Sequence, residues 1–161
     1  MEAYFDNSAT TIVTDSVKDI VVKTMTEDFG NPSAMHMVGV KAEKYIKEAQ
    51  ENIAKILKVD PKEIFFTSGG TESNNMAIIG TAMANKRKGN RIITTSVEHS
   101  SVLATMKYLE EQGFEVIYLP VDRYGVVQME ALEKEMTEDT ILVSTMYVNN
   151  EVGAIEPVGE I

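Results

Sequence analysis

Apolar residues in the first third of the chain recur at helical spacing. Thr14 or Asp15 can cap a helix that carries Val17, Ile20, Val21 and Met25 and ends near Gly30. Asn31-Pro32-Ser33 then breaks the chain, because the residue before a proline is pushed out of helical space. The clearest period follows. Ala42, Ile46, Ala49, Ile53, Ile56 and Leu57 define one face of a second helix, and Lys41, Glu43, Lys44, Lys47, Glu48 and Glu51 take the others.

From residue 60 the rhythm changes to strands alternating with helices. Ile64-Phe65-Phe66-Thr67 predicts a short buried strand, followed by Ser68-Gly69-Gly70-Thr71 and a helix from about Glu72 to Lys86. Arg91–Thr95 predicts a second strand. Ser100 or Ser101 opens a helix to Gln112, closed by Gly113. Glu115–Leu119 predicts a third strand, Asp122-Arg123-Tyr124-Gly125 a turn, Met129–Met136 a helix and Thr140–Met146 a fourth strand.

Short apolar strands between amphipathic helices predict an α/β fold with three α/β/α layers, a mostly parallel sheet and a helical N-terminal arm. The arm is expected over 1–59 and the sheet domain over 60–161, the whole of 1–161 forming a single unit. Ile155-Glu156-Pro157-Val158-Gly159-Glu160-Ile161 reads as a helix start, with an early proline and acid in the first turn, and no helix follows it. The sheet domain is therefore expected to continue past residue 161.

Composition narrows the function. With 161 residues and 43% of them apolar, the chain can bury a sizeable core. Lys+Arg 15 minus Asp+Glu 25 leaves −10, which argues against nucleic acid and against anionic membrane as partners, since both need a basic footprint. Cysteine is absent, so this chain supplies no disulfide, thiolate ligand or thiol nucleophile. Its only histidines, His36 and His99, form no i, i+4 pair, and no metal site is expected. The N-terminus lacks a secretory pattern and no apolar run is long enough to span a bilayer, so a cytoplasmic location is expected.

In open α/β sheets ligands bind beyond the carboxyl ends of the strands, and three such ends carry suggestive residues. At Ser68-Gly69-Gly70-Thr71-Glu72-Ser73-Asn74-Asn75, two glycines allow close backbone approach, a helix N-terminus offers free N–H groups, and Thr71 adds a hydroxyl. These features suit a phosphate, although a glycine turn with a Ser/Thr cap explains them equally well. His99, in Ser96-Val97-Glu98-His99-Ser100-Ser101, sits at a strand-to-helix junction, where an imidazole can stack on a planar ligand, move protons, or simply cap the helix. Tyr147-Val148-Asn149-Asn150-Glu151-Val152-Gly153 offers paired amides for a polar ring substituent, or a plain turn. Asp6-Asn7-Ser8-Ala9-Thr10-Thr11 is a fourth small polar cluster.

Taken in order, Tyr4–Thr11, Asn31-Pro32-Ser33 with His36 and Gly39, Phe66–Asn75, Glu98-His99 and Val148–Gly153 make the chain resemble the N-terminal portion of the cysteine desulfurases, the NifS/IscS-like branch of the class V pyridoxal-phosphate enzymes. The resemblance implies the large domain of a PLP-dependent transferase of the aspartate aminotransferase type. It implies that Gly70 and Thr71 hold the phosphate of pyridoxal 5'-phosphate, that His99 stacks on its ring and acts in proton transfer, and that Asn150 meets the 3-hydroxyl side. The implied reaction takes sulfur from L-cysteine, leaving L-alanine and an enzyme persulfide for an acceptor or iron–sulfur scaffold protein. Family members are homodimers of more than twice this length. Their cofactor-binding lysine and persulfide cysteine lie in regions this chain does not reach, so the isolated chain is expected to be inactive. The alternatives are another class V enzyme such as a selenocysteine lyase, or a non-enzymatic fragment that pairs with a partner chain.

Overall fold

The computed structural model describes residues 3–161, which form two compact units, one running to Phe66 and the other from Thr67 to Ile161. In the first unit, α1 (Asp15–Thr26) and α2 (Met37–Leu57) follow the apolar periods of the sequence. Between them, the segment at Asn31–Ala34 folds back on the first turn of α2. A Cβ on Gly30 would collide with the carbonyl of Val38, and one on Gly39 with the carbonyls of Ala34 and Asn31. His36 caps α2, its Nδ1 accepting from the Gly39 N–H at 3.3 Å. These contacts give the Asn31-Pro32-Ser33…His36…Gly39 pattern a local structural reason. Asp28 receives the Tyr45 hydroxyl at 2.7 Å, which holds its carboxyl below the usual carboxylate range.

Ile64–Thr67 is not a strand. It follows the short 3₁₀ turn Pro61–Glu63 without regular secondary structure, with Phe65 and Phe66 exposed. A strand exists only where a neighbour completes its ladder. Among the described residues, none lies beside this apolar run.

The second unit begins with α3 (Gly70–Asn85) and continues as β1 (Arg91–Thr95), α4 (Ser100–Glu111), β2 (Glu115–Leu119), α5 (Met129–Glu135) and β3 (Thr140–Ser144). The three strands are parallel in the order β2-β1-β3. Register sorts their side chains by face. Ile92 stands level with Val116 and Leu142, and this row packs with Ile78 and Ala82 of α3 and with Val102, Met106 and Leu109 of α4. Ile93 stands level with Ile117 and Val143, and this row packs with Val127, Met129 and Leu132 on the α5 side. Adjacent residues of a strand point to opposite faces, so β1 alone feeds both cores. The result is three layers, with α3 and α4 on one face and α5 on the other. The placement follows from handedness. The chain crosses from β1 out to β2 and then back past β1 to β3, and right-handed crossovers in opposite directions lie on opposite faces. At the amino end of the sheet Arg91 grips both Glu115 oxygens, at 2.9 and 2.8 Å, and the Glu135 carbonyl at 3.0 Å.

Candidate active site at the carboxyl end of the sheet

The strand order reverses at β1, so the loops that follow β1 and β3 are neighbours at the carboxyl end of the sheet, the place where this architecture opens a crevice. Glu98 joins them. It is buried, and its Oε1 accepts from Thr95 Oγ1 at 2.7 Å and from the Met146 N–H at 2.8 Å. Burial pushes its carboxyl above the ordinary value; the two donors oppose that and the Glu156 carboxylate adds to it. Asn149 is a second tie. Its Nδ2 donates to the Val97 carbonyl at 3.0 Å, and its Oδ1 accepts from the N–H groups of Glu151 and Val152 at 2.9 and 3.0 Å. The loop closes on itself through the Val148–Ile155 bridge and turns at Gly153, whose φ of 73° favours glycine. Glu156, 1% exposed, reaches back so that its Oε2 accepts from the Val127 N–H at 2.9 Å.

Asn150 lies on the exposed side of the same turn, its Nδ2 donating to Glu151 Oε1 at 2.8 Å. Of the two asparagines, then, Asn149 shapes the loop and Asn150 is displayed by it. His99 is the exposed N-cap of α4. Its Nδ1 accepts from the Ser101 N–H at 3.2 Å and lies 2.8 Å from Ser101 Oγ. Asn74 Nδ2 donates to that same hydroxyl at 2.9 Å, which ties the second turn of α3 to the start of α4.

Gly70 and Thr71 are the first residues of α3, both exposed. Gly69 provides no side-chain cap, and among the described residues the N–H groups of Gly70, Thr71 and Glu72 meet no acceptor. A Cβ on Gly69 or Gly70 would touch no atom within 4 Å, so packing does not explain these glycines; their backbone faces open space. Free N–H groups, a hydroxyl and the positive end of a 16-residue helix form a donor set that fits a phosphate. The Glu72 carboxylate is engaged next to it, its Oε2 accepting from Ser68 N and Oγ, both at 2.6 Å, which holds its carboxyl below the ordinary range.

The second unit therefore brings Gly70–Thr71, His99 and Asn150 to one end of the sheet, through Asn74–Ser101, Glu98–Met146 and Asn149–Val97. Asn74, Glu98 and Asn149 lay within motifs that carried the family resemblance, but without these partners. Ser101 showed itself only as a helix start, and Glu156, which holds Val127, only as first-turn acid. Among the described residues no cluster of His, Asp and Glu is arranged to hold a metal, and no helix is long and apolar enough to cross a membrane.

Known proteins resemble this chain in sequence and in fold. The chain is 49% identical, over 158 residues, to a protein of Archaeoglobus fulgidus named cysteine desulfurase IscS 1, and 51% identical over 158 residues to one of Methanosarcina thermophila named cysteine desulfurase IscS. Each comparison covers 98% of this chain, which spans only 41% and 39% of the length of those relatives. A solved structure titled NifS-like protein superposes with a TM-score of 0.93 at 49% identity, over 99% of this chain and 44% of the other. One titled SspA in complex with cysteine superposes with a TM-score of 0.88 at 39% identity, over 96% of this chain and 45% of the other. Residues 3–161 fit the sequence model of the class V aminotransferases. With the family model matching residues 3–161 and the fold superposing at that level, the chain belongs to the aminotransferase class-V family.

Proposed function

We propose that this chain is the N-terminal part of a PLP-dependent cysteine desulfurase. It would act in removing sulfur from L-cysteine, with L-alanine as product and the sulfur passed as an enzyme persulfide to an acceptor, an iron–sulfur scaffold among them. The observation that carries the reading is the convergence of the α3 N-terminus, His99 and Asn150 at one end of the parallel sheet. Identity near 50% to proteins named cysteine desulfurase supports it.

In this reading the free N–H groups of Gly70 and Thr71, with the Thr71 hydroxyl, hold the cofactor phosphate. His99 stacks on the ring and moves a proton at Nε2, the nitrogen that its capping role leaves free. Asn150 orients the 3-hydroxyl side with its amide. Pyridoxal phosphate, when bound, supplies the electron sink for the substrate carbon. The cofactor-binding lysine and the sulfur-accepting cysteine come from sequence beyond this stretch, and the working enzyme is a cytoplasmic homodimer.

The test is a chimera in which the chain is continued by the C-terminal portion of the Archaeoglobus fulgidus relative. The chimera should show the absorbance of bound pyridoxal phosphate and release sulfide from L-cysteine under reducing conditions, and the isolated chain should do neither. His99→Ala should lower turnover far more than it lowers folding. A folded chimera that binds no pyridoxal phosphate, or sulfide release by the isolated chain, would overturn the proposal.

A further inference from the structure

The bonds around His99 form a directed chain. Nδ1 accepts the Ser101 backbone N–H at 3.2 Å, and an N–H can only donate, so this nitrogen presents a lone pair. Ser101 Oγ lies 2.8 Å from the same Nδ1 and therefore gives it its single hydroxyl proton. That leaves the oxygen as an acceptor on its other side, where Asn74 Nδ2 donates at 2.9 Å. The three partners agree in polarity, with Asn74 giving to Ser101 and Ser101 giving twice to His99. Ser101 is itself clamped. It is buried, and the Thr105 hydroxyl lies 2.7 Å from both its carbonyl and Asn75 Oδ1. Asn74 and Asn75 thus hold the start of α4 from α3, which gives the polar Ser73-Asn74-Asn75 run a task that capping does not explain.

We infer that Asn74 and Ser101 are positioning residues that fix the neutral His99 ring as its Nε2–H tautomer, so that proton traffic at the site passes through Nε2 alone. A neutral imidazole can carry its proton on either nitrogen, and what its other nitrogen bonds to decides which. Here two donors at Nδ1 push the proton to Nε2, for which no partner exists among the described residues. The significance for catalysis rests on the proposed function. The tautomer itself does not.

The direct measurement is ring-nitrogen NMR of the uniformly ¹⁵N-labelled 161-residue chain at a pH where its histidines are neutral. Only two histidines contribute, and His99→Asn assigns them. Wild-type His99 should show a pyridine-like Nδ1 and a pyrrole-like Nε2. Asn74→Asp replaces the donor by an acceptor. The Ser101 hydroxyl should then turn to the carboxylate and present its lone pair to Nδ1, and an Nδ1–H population should appear. Ser101→Ala, which keeps the backbone N–H, should give a smaller change in the same direction, with His36 unmoved in both variants. A wild-type His99 that is mainly Nδ1–H would overturn the inference whether or not either variant folds, and so would folded variants whose His99 signals stay at the wild-type positions. In the chimera, Asn74→Asp should lower kcat and leave KM unchanged. Failure of the chimera to bind pyridoxal phosphate would remove the functional reading and leave the tautomer result standing.

Discussion

Asn149 and Asn150 are adjacent and chemically identical, and the structure assigns them opposite work. Replacing Asn149 by Ala removes three bonds to backbone, to Val97 O and from Glu151 and Val152 N–H. At about 0.5–1.5 kcal/mol net per bond the loss would span roughly 1.5–4.5 kcal/mol. Glu151 and Val152 are exposed, so their freed N–H groups rehydrate, and the expected cost settles at about 2–3 kcal/mol, in the lower half of that range. Asn150→Ala removes one bond to an exposed carboxylate and should stay within about 0.5 kcal/mol of wild type. Urea titration followed by far-UV circular dichroism, with amide exchange of β1 to report on the second unit, measures both variants. A midpoint shift at constant slope identifies a stability change rather than a change in surface exposed. Equal costs for the two variants, or an Asn149→Ala that matches wild type, would refute the division of labour.

Glu98 predicts a pH effect. Its folded carboxyl titrates above the ordinary value of 4.5, so between that value and its raised one the native state holds more protons than the unfolded chain, and stability falls as pH rises. Glu98→Gln should flatten that decline in a pH series of urea midpoints; an unchanged slope would contradict it. Gly39→Ala should destabilise the first unit by about 1–3 kcal/mol, because its Cβ would enter the Asn31–Ala34 backbone; a thermal midpoint equal to wild type would show that the loop yields. No residue of α1 is buried, and Val17, Ile20, Val21, Val22 and Met25 remain exposed, so the chain should self-associate despite its charge of −10, and Val21→Glu with Met25→Glu should weaken association in sedimentation runs. A clean wild-type monomer at high concentration would count against this.

Local patterns sufficed for α1–α5 and three of the strands, whereas Ile155–Ile161, which reads as a helix start, forms the bridge to Val148 and a turn instead. The α2 period, Gly113 after α4 and the apolar runs at 91–95, 115–119 and 140–144 all act over a few residues, where spacing and backbone preference decide. The ends of the sheet stood out as candidate sites because glycine, histidine and asparagine accumulate there. Ile64–Thr67 has the composition of a strand and is not one, since pairing depends on a neighbour that no short window contains. Nor could a window tell Asn149 from Asn150, give Glu98 and Glu156 their buried places, or bring Asn74 to Ser101, 27 residues away. Each of those depends on where the chain returns in space. A side chain's burial and hydrogen-bond partners belong to the packed fold, and only the tertiary structure supplies them.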